Sequence, residues 1–373
     1  MPMGCIPVGD YEVDERLLAE PYIPLNEFVP ECVSKLKRTP ISGPAFPVID
    51  SHTHFGRLCL GENYESLYDT GFMVERMKSH GVALAINMDG DWGTNYERMM
   101  RKLSGFEDFF LNFATVDVSR FEEPDFEREV YKTIRRHKEN GIVGIKLWKN
   151  IGLGIRDREG RYLQLDDPRL DCIFKTAAEF DLPITVHVAD PPQFFLPIDG
   201  KNERYEELKA HPEWAFTRPG MPCFDELLDT FEAVLENNRE TVFVGAHMIV
   251  PENLEKVSGW LDRFPNFYVD FADRLNELGR HPYSSRAFFE KYQDRILFAT
   301  DTFWPNQELY PIYYRFLETF DEYFPYNFEP GSKGRWNIYG IGLPEEILRK
   351  IYYKNVLYLL KIDVSKFEKK HLL

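Results

Sequence analysis

Nine histidines occur in the chain, and four of them fall at or near the end of a short apolar run. His52 and His54 follow the run FPVID (46–50) and are spaced i and i+2. Side chains two apart in a strand project to one face, so both imidazoles can reach one point. His187 lies at the end of PITVHV (183–188), His247 ends TVFVGAH (241–247), and Asp301 ends ILFATD (296–301). Taken singly, each has a simpler reading: a hydrogen-bonded strand histidine, or a carboxylate capping the next helix. Taken together, His52, His54, His187 and Asp301 supply three nitrogens and an oxygen, a set suited to zinc, with manganese or iron also served. The expectation is one divalent metal ion, Zn2+ first. A metal of this kind lowers the pKa of its water from about 15.7 to about 7.

That convergence requires a particular scaffold. Eight apolar runs punctuate the chain: 46–50, 82–87, 111–117, 142–148, 183–188, 241–247, 266–271 and 296–301. Each is short, rich in β-branched or aromatic residues, and bounded by Gly, Pro, Asp or Asn, as buried strands are. Helix-like stretches lie near 70–80, 123–139, 168–180, 223–238, 251–264 and 284–293, and two more near 306–322 and 343–361. Strands alternating with helices argue for a parallel sheet. A doubly wound open sheet would carry a Gly-rich phosphate turn after its first strand. Here that position holds His-Thr-His-Phe-Gly. The expected fold is therefore a (β/α)8 TIM barrel over 45–373, whose active sites form at the C-terminal ends of the strands. Residues 1–44 are expected to form an N-terminal extension. Two connections exceed what a barrel needs, 189–222 after strand 5 and 323–342 after strand 8, and both are rich in Pro, Gly and aromatics. Long structured loops often serve as lids or pocket walls.

Composition narrows the partners. A length of 373 residues suits one barrel with extensions. A formal net charge of -16 argues against nucleic acid and anionic membranes. The sequence has no apolar run long enough to span a bilayer, and its first residues do not read as a secretory signal. Five cysteines, with no CxxC pair, read as free thiols of a reducing, cytoplasmic compartment. The partner expected is a small molecule. Aromatic-rich loops are compatible with a homodimer.

DSHTHFG after the first strand, His187, His247 and TDTFW after the eighth resemble the amidohydrolase superfamily, most of all its amidohydrolase 2 branch of aminocarboxymuconate-semialdehyde decarboxylase-like proteins. The ending IYYKNVLYLL resembles that branch's last helix, and the likeness spans roughly 46–361. The resemblance implies one metal on His52, His54, His187 and Asp301, with His247 a catalytic acid or base outside the ligand set. Binuclear superfamily members carry a carboxylated lysine on strand 4. Lys146 in GIKLW occupies that strand, as a bridge, an ion-paired lysine or a substrate contact. A mononuclear site is expected. Asp301 would also accept a proton from the metal's water, and an imidazole with pKa near 6.5 can give or take one. Substrate contacts are expected from Arg57, Trp92, Lys146, Trp148, Arg274 and Trp304, with Arg57 or Arg274 binding a carboxylate. Two chemistries share these parts: hydrolysis of a lactone, ester or amide, and non-oxidative decarboxylation of an unsaturated or aromatic acid. Hydrolysis asks least of the residues. A structural metal in a non-catalytic barrel would be closed and four-coordinate, unlike a site at an open mouth.

Overall fold

The computed structural model describes residues 23–303, 306–326 and 333–372. These divide into two compact units, one ending at Lys35 and one beginning at Leu36. The first carries a short 3-10 turn, Leu25–Glu27. The outer half of the expected extension, residues 1–22, and Trp304 lie outside the described residues.

The second unit is built on nine parallel strands: β1 Val48–His54, β2 Val82–Asn87, β3 Phe110–Ala114, β4 Gly144–Leu147, β5 Ile184–Val186, β6 Phe243–Gly245, β7 Phe267–Asp270, β8 Ile296–Leu297 and β9 Thr302–Phe303. Each of the first seven pairs with the next, β7 pairs with β8, and β9 pairs with β1. A helix follows each turn of the ring: α1 Thr70–Ser79, α2 Gly93–Leu103, α3 Phe126–Glu139, α4 Asp171–Glu179, α5 Phe224–Asn237, α6 Leu254–Arg263, α7 Pro282–Lys291 and α8 Tyr310–Glu318. The architecture is the (β/α)8 barrel.

β8 and β9 are one interrupted eighth strand. Between them the Ser51 N–H donates to the Phe298 carbonyl at 2.9 Å, and the Asp301 N–H to the His52 carbonyl at 2.9 Å, so the ring closes onto β1. The interruption has a cause in the C-terminal helical run. Its π turn at Lys350–Lys354 frees a carbonyl, a habit of such turns, and the Phe298 N–H donates to Ile351 O at 3.1 Å. The Asn355 amide reaches the Ile296 and Gln293 carbonyls at 2.7 and 2.8 Å.

Helices follow from their apolar spacing. α5 buries Leu227, Leu228, Phe231, Val234 and Leu235, an i, i+1, i+4, i+7, i+8 stripe. Glu226 accepts the Cys223 N–H at 2.7 Å and starts it. Phe231 meets Phe267 of β7 and Trp260 of α6 edge-on, with centroids 5.6 and 5.7 Å apart.

The sequence reading placed no helix between strands 2 and 3, yet α2 is there. Its apolar side rests on Tyr96, Met99 and Leu103 alone, an i, i+3, i+7 signal diluted by charged residues. Tyr96 packs on His137 of α3, with ring centroids 4.2 Å apart.

His137 is buried, and neither ring nitrogen has a hydrogen-bond partner. Burial, aided by Arg136, pushes its pKa down from 6.5 to about 4. The folded value lies below the unfolded one, so this group costs no stability above pH 6.5. As pH falls from 6.5 towards 4, only the unfolded chain takes the proton, and stability drops. His137→Leu should therefore lose about 2 kcal/mol less than wild type between pH 7 and pH 5 in urea titrations. Equal losses in the two proteins would show that His137 titrates normally.

The connection 189–222 follows β5 as expected, and the described parts of the second, 323–326 and 333–342, lie beyond α8. The first carries the short helices Pro192–Phe195, Tyr205–Ala210 and Pro212–Trp214, around a small core of Phe194, Leu208 and Ala215. The second is held by an antiparallel bridge between Phe324 and Ile338. Among the described residues, no helix is long and apolar enough to cross a membrane.

Candidate metal centre and active site

β1 runs through His54, two turns of pleat beyond the apolar run seen in sequence, and it carries both histidines into the barrel mouth. His52 and His54 are buried, with ring centroids 5.1 Å apart. Each ring is oriented by a carboxylate on its far side. The His52 Nδ1–H donates to Asp270 Oδ2 of β7 at 2.9 Å, and the His54 Nδ1–H to Asp89 Oδ1, just after β2, at 2.7 Å. A carboxylate behind an imidazole fixes its tautomer and raises the basicity of the other nitrogen. Asp89 is fixed in turn by the Gly56 N–H at 2.9 Å. A Cβ on Gly56 would sit 2.7 Å from the Asp89 Cβ, so only glycine admits this approach.

His247 is turned by its backbone. Instead of continuing β6, it takes φ +58°, and Met248 and Ile249 follow at +57° and +63°. Three successive left-handed residues, one of them β-branched, mark stored strain of the kind found at functional sites. The bend is held by Asp270, whose Oδ1 accepts the His247 N–H at 2.8 Å. The His247 Nδ1–H donates to the Ala272 carbonyl at 2.8 Å, leaving Nε2 as an acceptor. Burial, with Arg274 nearby, holds His247 well below the ordinary imidazole range, so the ring is neutral.

Asp301 is also left-handed, at φ +61°. Its Oδ1 lies 2.9 Å from His54 Nε2 and 3.5 Å from His52 Nε2. Burial alone would raise its pKa, but the His54 hydrogen bond and the adjacent His247 and His52 hold it well below the carboxylate range. His54 experiences the reverse balance: burial opposes its charge, but Asp89 and Asp301 raise it to about 9. A proton there joins His54 to Asp301, a place that suits a cation.

His187, immediately after β5, meets the His247 ring edge-on, with centroids 4.5 Å apart. Its Nε2 is buried without a hydrogen-bond partner, and Asp190 Oδ1 is 3.5 Å away. Burial lowers its pKa to about 4, leaving a neutral ring with a lone pair to give. Among the described residues, His52, His247 and Asp301 each offer a ligand atom, all within 4.8 Å of one another. His54 joins them through Asp301, and His187 through the His247 ring. The donor set therefore fits a divalent metal: imidazole nitrogens gathered around one carboxylate, a proton on His54 that a cation would replace, and the unpartnered Nε2 of His187.

Residues 49–362 match the family model described as Amidohydrolase. The chain belongs to the amidohydrolase family. No curated protein matches it by sequence. Solved structures share the fold of this amidohydrolase. An uncharacterised TIM-barrel protein from Bordetella bronchiseptica is 15% identical with a TM-score of 0.54, covering 84% of this chain and 98% of its own. A 2,6-dihydroxybenzoate decarboxylase from Rhizobium is 18% identical with a TM-score of 0.52, covering 85% and 99%. A dihydroxybenzoic acid decarboxylase from Polaromonas, solved with manganese and 2-nitroresorcinol, is 18% identical with a TM-score of 0.53, covering 85% and 97%. At these identities the likeness is one of fold. The chain is a TIM-barrel enzyme of this family.

The amidohydrolase places its other expected site residues unevenly. Lys146 points into the mouth, fully buried, with Nζ 3.1 Å from His52 Nε2 and 5.3 Å over the Trp148 ring. Burial lowers its pKa to about 8, against the pull of Asp270, Asp301 and Asp89. Trp148 packs beside His54, with centroids 5.3 Å apart. Arg274 lines a cavity of about 410 Å³ over the site, together with His187, His247 and Asp301. Arg57 and Trp92 do not line it. Arg57 is committed to Asp91 at 2.7 Å and leans over Trp92. Asp270, which organises both His52 and His247, was missed in the sequence. Its signal was present: NFYVDF ends a strand on a carboxylate just as ILFATD does.

Proposed function

We propose that this amidohydrolase hydrolyses a C–O or C–N bond of a small molecule, a lactone, ester or amide, using one divalent metal, Zn2+ first, held by His52, His54, His187 and Asp301. One observation carries the reading. His52 and His54 are tied off at Nδ1, to Asp270 and Asp89, their Nε2 atoms face Asp301 at one barrel mouth, and the buried His187 Nε2 has no hydrogen-bond partner. A divalent metal bound there supplies Lewis acidity, acidifying water and polarising a carbonyl.

The chain's own groups divide the proton work. Asp301, facing His52 and His54, orients the attacking water and balances charge. His247 starts neutral with Nε2 free to accept. It takes the proton that the water loses as oxygen attacks the carbonyl carbon. As the C–O or C–N bond breaks, His247 returns that proton to the leaving oxygen or nitrogen.

Decarboxylation is the second reading, and Arg274 on the cavity wall favours it, because it could hold a carboxylate beside the metal. The Rhizobium and Polaromonas proteins of the same fold carry decarboxylase names. Metal-loaded enzyme offered lactones, esters, amides and arenecarboxylates separates the two. Acid release in a pH-stat without carbon dioxide is expected, lost on chelation and restored by zinc. Carbon dioxide release with no hydrolysis would move the assignment to the second reading. Turnover that survives chelation would remove both.

A further inference from the structure

The cavity above the candidate metal centre is larger than the chemistry at its floor needs. Its volume is about 410 Å³, whereas a cavity of roughly 150 Å³ suffices for a benzene ring. The extra space is walled by the connection after β5. Phe194, His211 and Trp214 of that connection all line it, as does Phe303 of β9. The three rings are stacked in near-parallel planes. His211 and Trp214 lie 3.9 Å apart at 11°, and Phe194 and Trp214 lie 6.3 Å apart at 14°. Phe194 of this wall packs with Leu208 and Ala215 in a small core, and the buried Arg204 of the same connection pairs with Glu277 at 2.9 Å. Exposure rises from 3% at His247 to 40% at Trp214 and 37% at Phe303, so the aromatic wall stands at the open end.

Charge is spent elsewhere in the cavity. Lys149 pairs with Asp190, and Lys333 with Asp273, so these cations are already matched. What the wall offers a ligand is aromatic ring surface held in a fixed orientation by that stacking, at little entropic cost in binding.

We propose that the cavity holds two subsites, and that the wall around Trp214 is a binding site for a planar aromatic group of the substrate. The substrate class is then a molecule of two-ring size. One end carries the oxygen-bearing group that reacts at the floor, and the other is an aryl face stacked at the mouth. The part played by the floor rests on the metal-centred reading above; the aromatic subsite stands on the loop alone.

The probe is 2-naphthoate, titrated by calorimetry into chelator-treated protein and into zinc-loaded protein, with acetate as the ligand lacking a ring. Metal-free wild type should bind 2-naphthoate and not acetate. Trp214→Ala should weaken naphthoate about tenfold in both forms, and Trp214→Phe, which keeps a flat face, only about twofold. Acetate binding to zinc-loaded protein should be the same in all three. Two results would overturn the subsite: naphthoate binding metal-free wild type no better than acetate does, or unchanged naphthoate affinity in Trp214→Ala. Zinc content, measured on the same samples, reports on the floor separately. Naphthoate binding in a protein that takes up no zinc would uphold the subsite while removing the metal.

Discussion

Asp301→Ala should lose its metal and its turnover together. Asp301 is the anionic member of the proposed ligand set, and its carboxylate is the group that both His52 and His54 face. Removing a carboxylate that merely orients a ligand histidine costs about 10–100-fold in metal affinity. Removing a direct ionised ligand should cost more than about 100-fold. The fold should survive, because Asp301 sits outside the apolar core and closes onto β1 through its backbone N–H, which alanine keeps. Alanine at φ +61° adds local strain, so Asp301→Asn, which tolerates that region better, is the control. Zinc per chain and steady-state activity, measured on both variants after dialysis, give the answer. A variant that keeps one zinc and full turnover would remove Asp301 from the centre.

His247→Ala should do the opposite: keep the metal and lose turnover. General acid–base catalysis by a placed histidine contributes about 10²–10⁴-fold, so kcat should fall by that range while zinc stays near one per chain. This prediction has a sharp rival within the geometry. His247 offers a ligand atom within 4.8 Å of those of His52 and Asp301. If His247 were a ligand, its removal would release zinc as Asp301→Ala does. His247→Asn, which suits the left-handed backbone at φ +58°, keeps the turn and removes the imidazole. Loss of zinc from both His247 variants would transfer His247 into the ligand set and leave the proton transfer without its carrier.

The barrel could be read from the chain because its strands announce themselves. VALAIN and FYVD are short apolar runs that a parallel sheet buries on both faces, and their order fixed the ring. α2 escaped because three apolar residues among charged neighbours make a weak stripe. The eighth strand read as continuous, whereas its break is imposed by a helix more than fifty residues later through Ile351 and Asn355. In the site, the i, i+2 histidines were visible because a strand's period places them side by side. Arg57 was placed near the pocket by its position after β1, but its direction is set by Asp91, a partner 34 residues away. Asp270 is visible in the sequence as a carboxylate at the end of NFYVDF, but the groups it holds, His52 and His247, are distant in sequence, so its role is not. The left-handed turn at His247 was equally invisible, since GAHMIV contains no glycine where the chain bends.

The most direct measurement is anomalous diffraction at the zinc edge from crystals of the zinc-loaded enzyme. One peak shared by His52, His54, His187 and Asp301, with His247 facing it, is expected. No peak at the barrel mouth, a peak bound by residues elsewhere, or two peaks bridged by Lys146 would contradict a mononuclear centre built from these four residues.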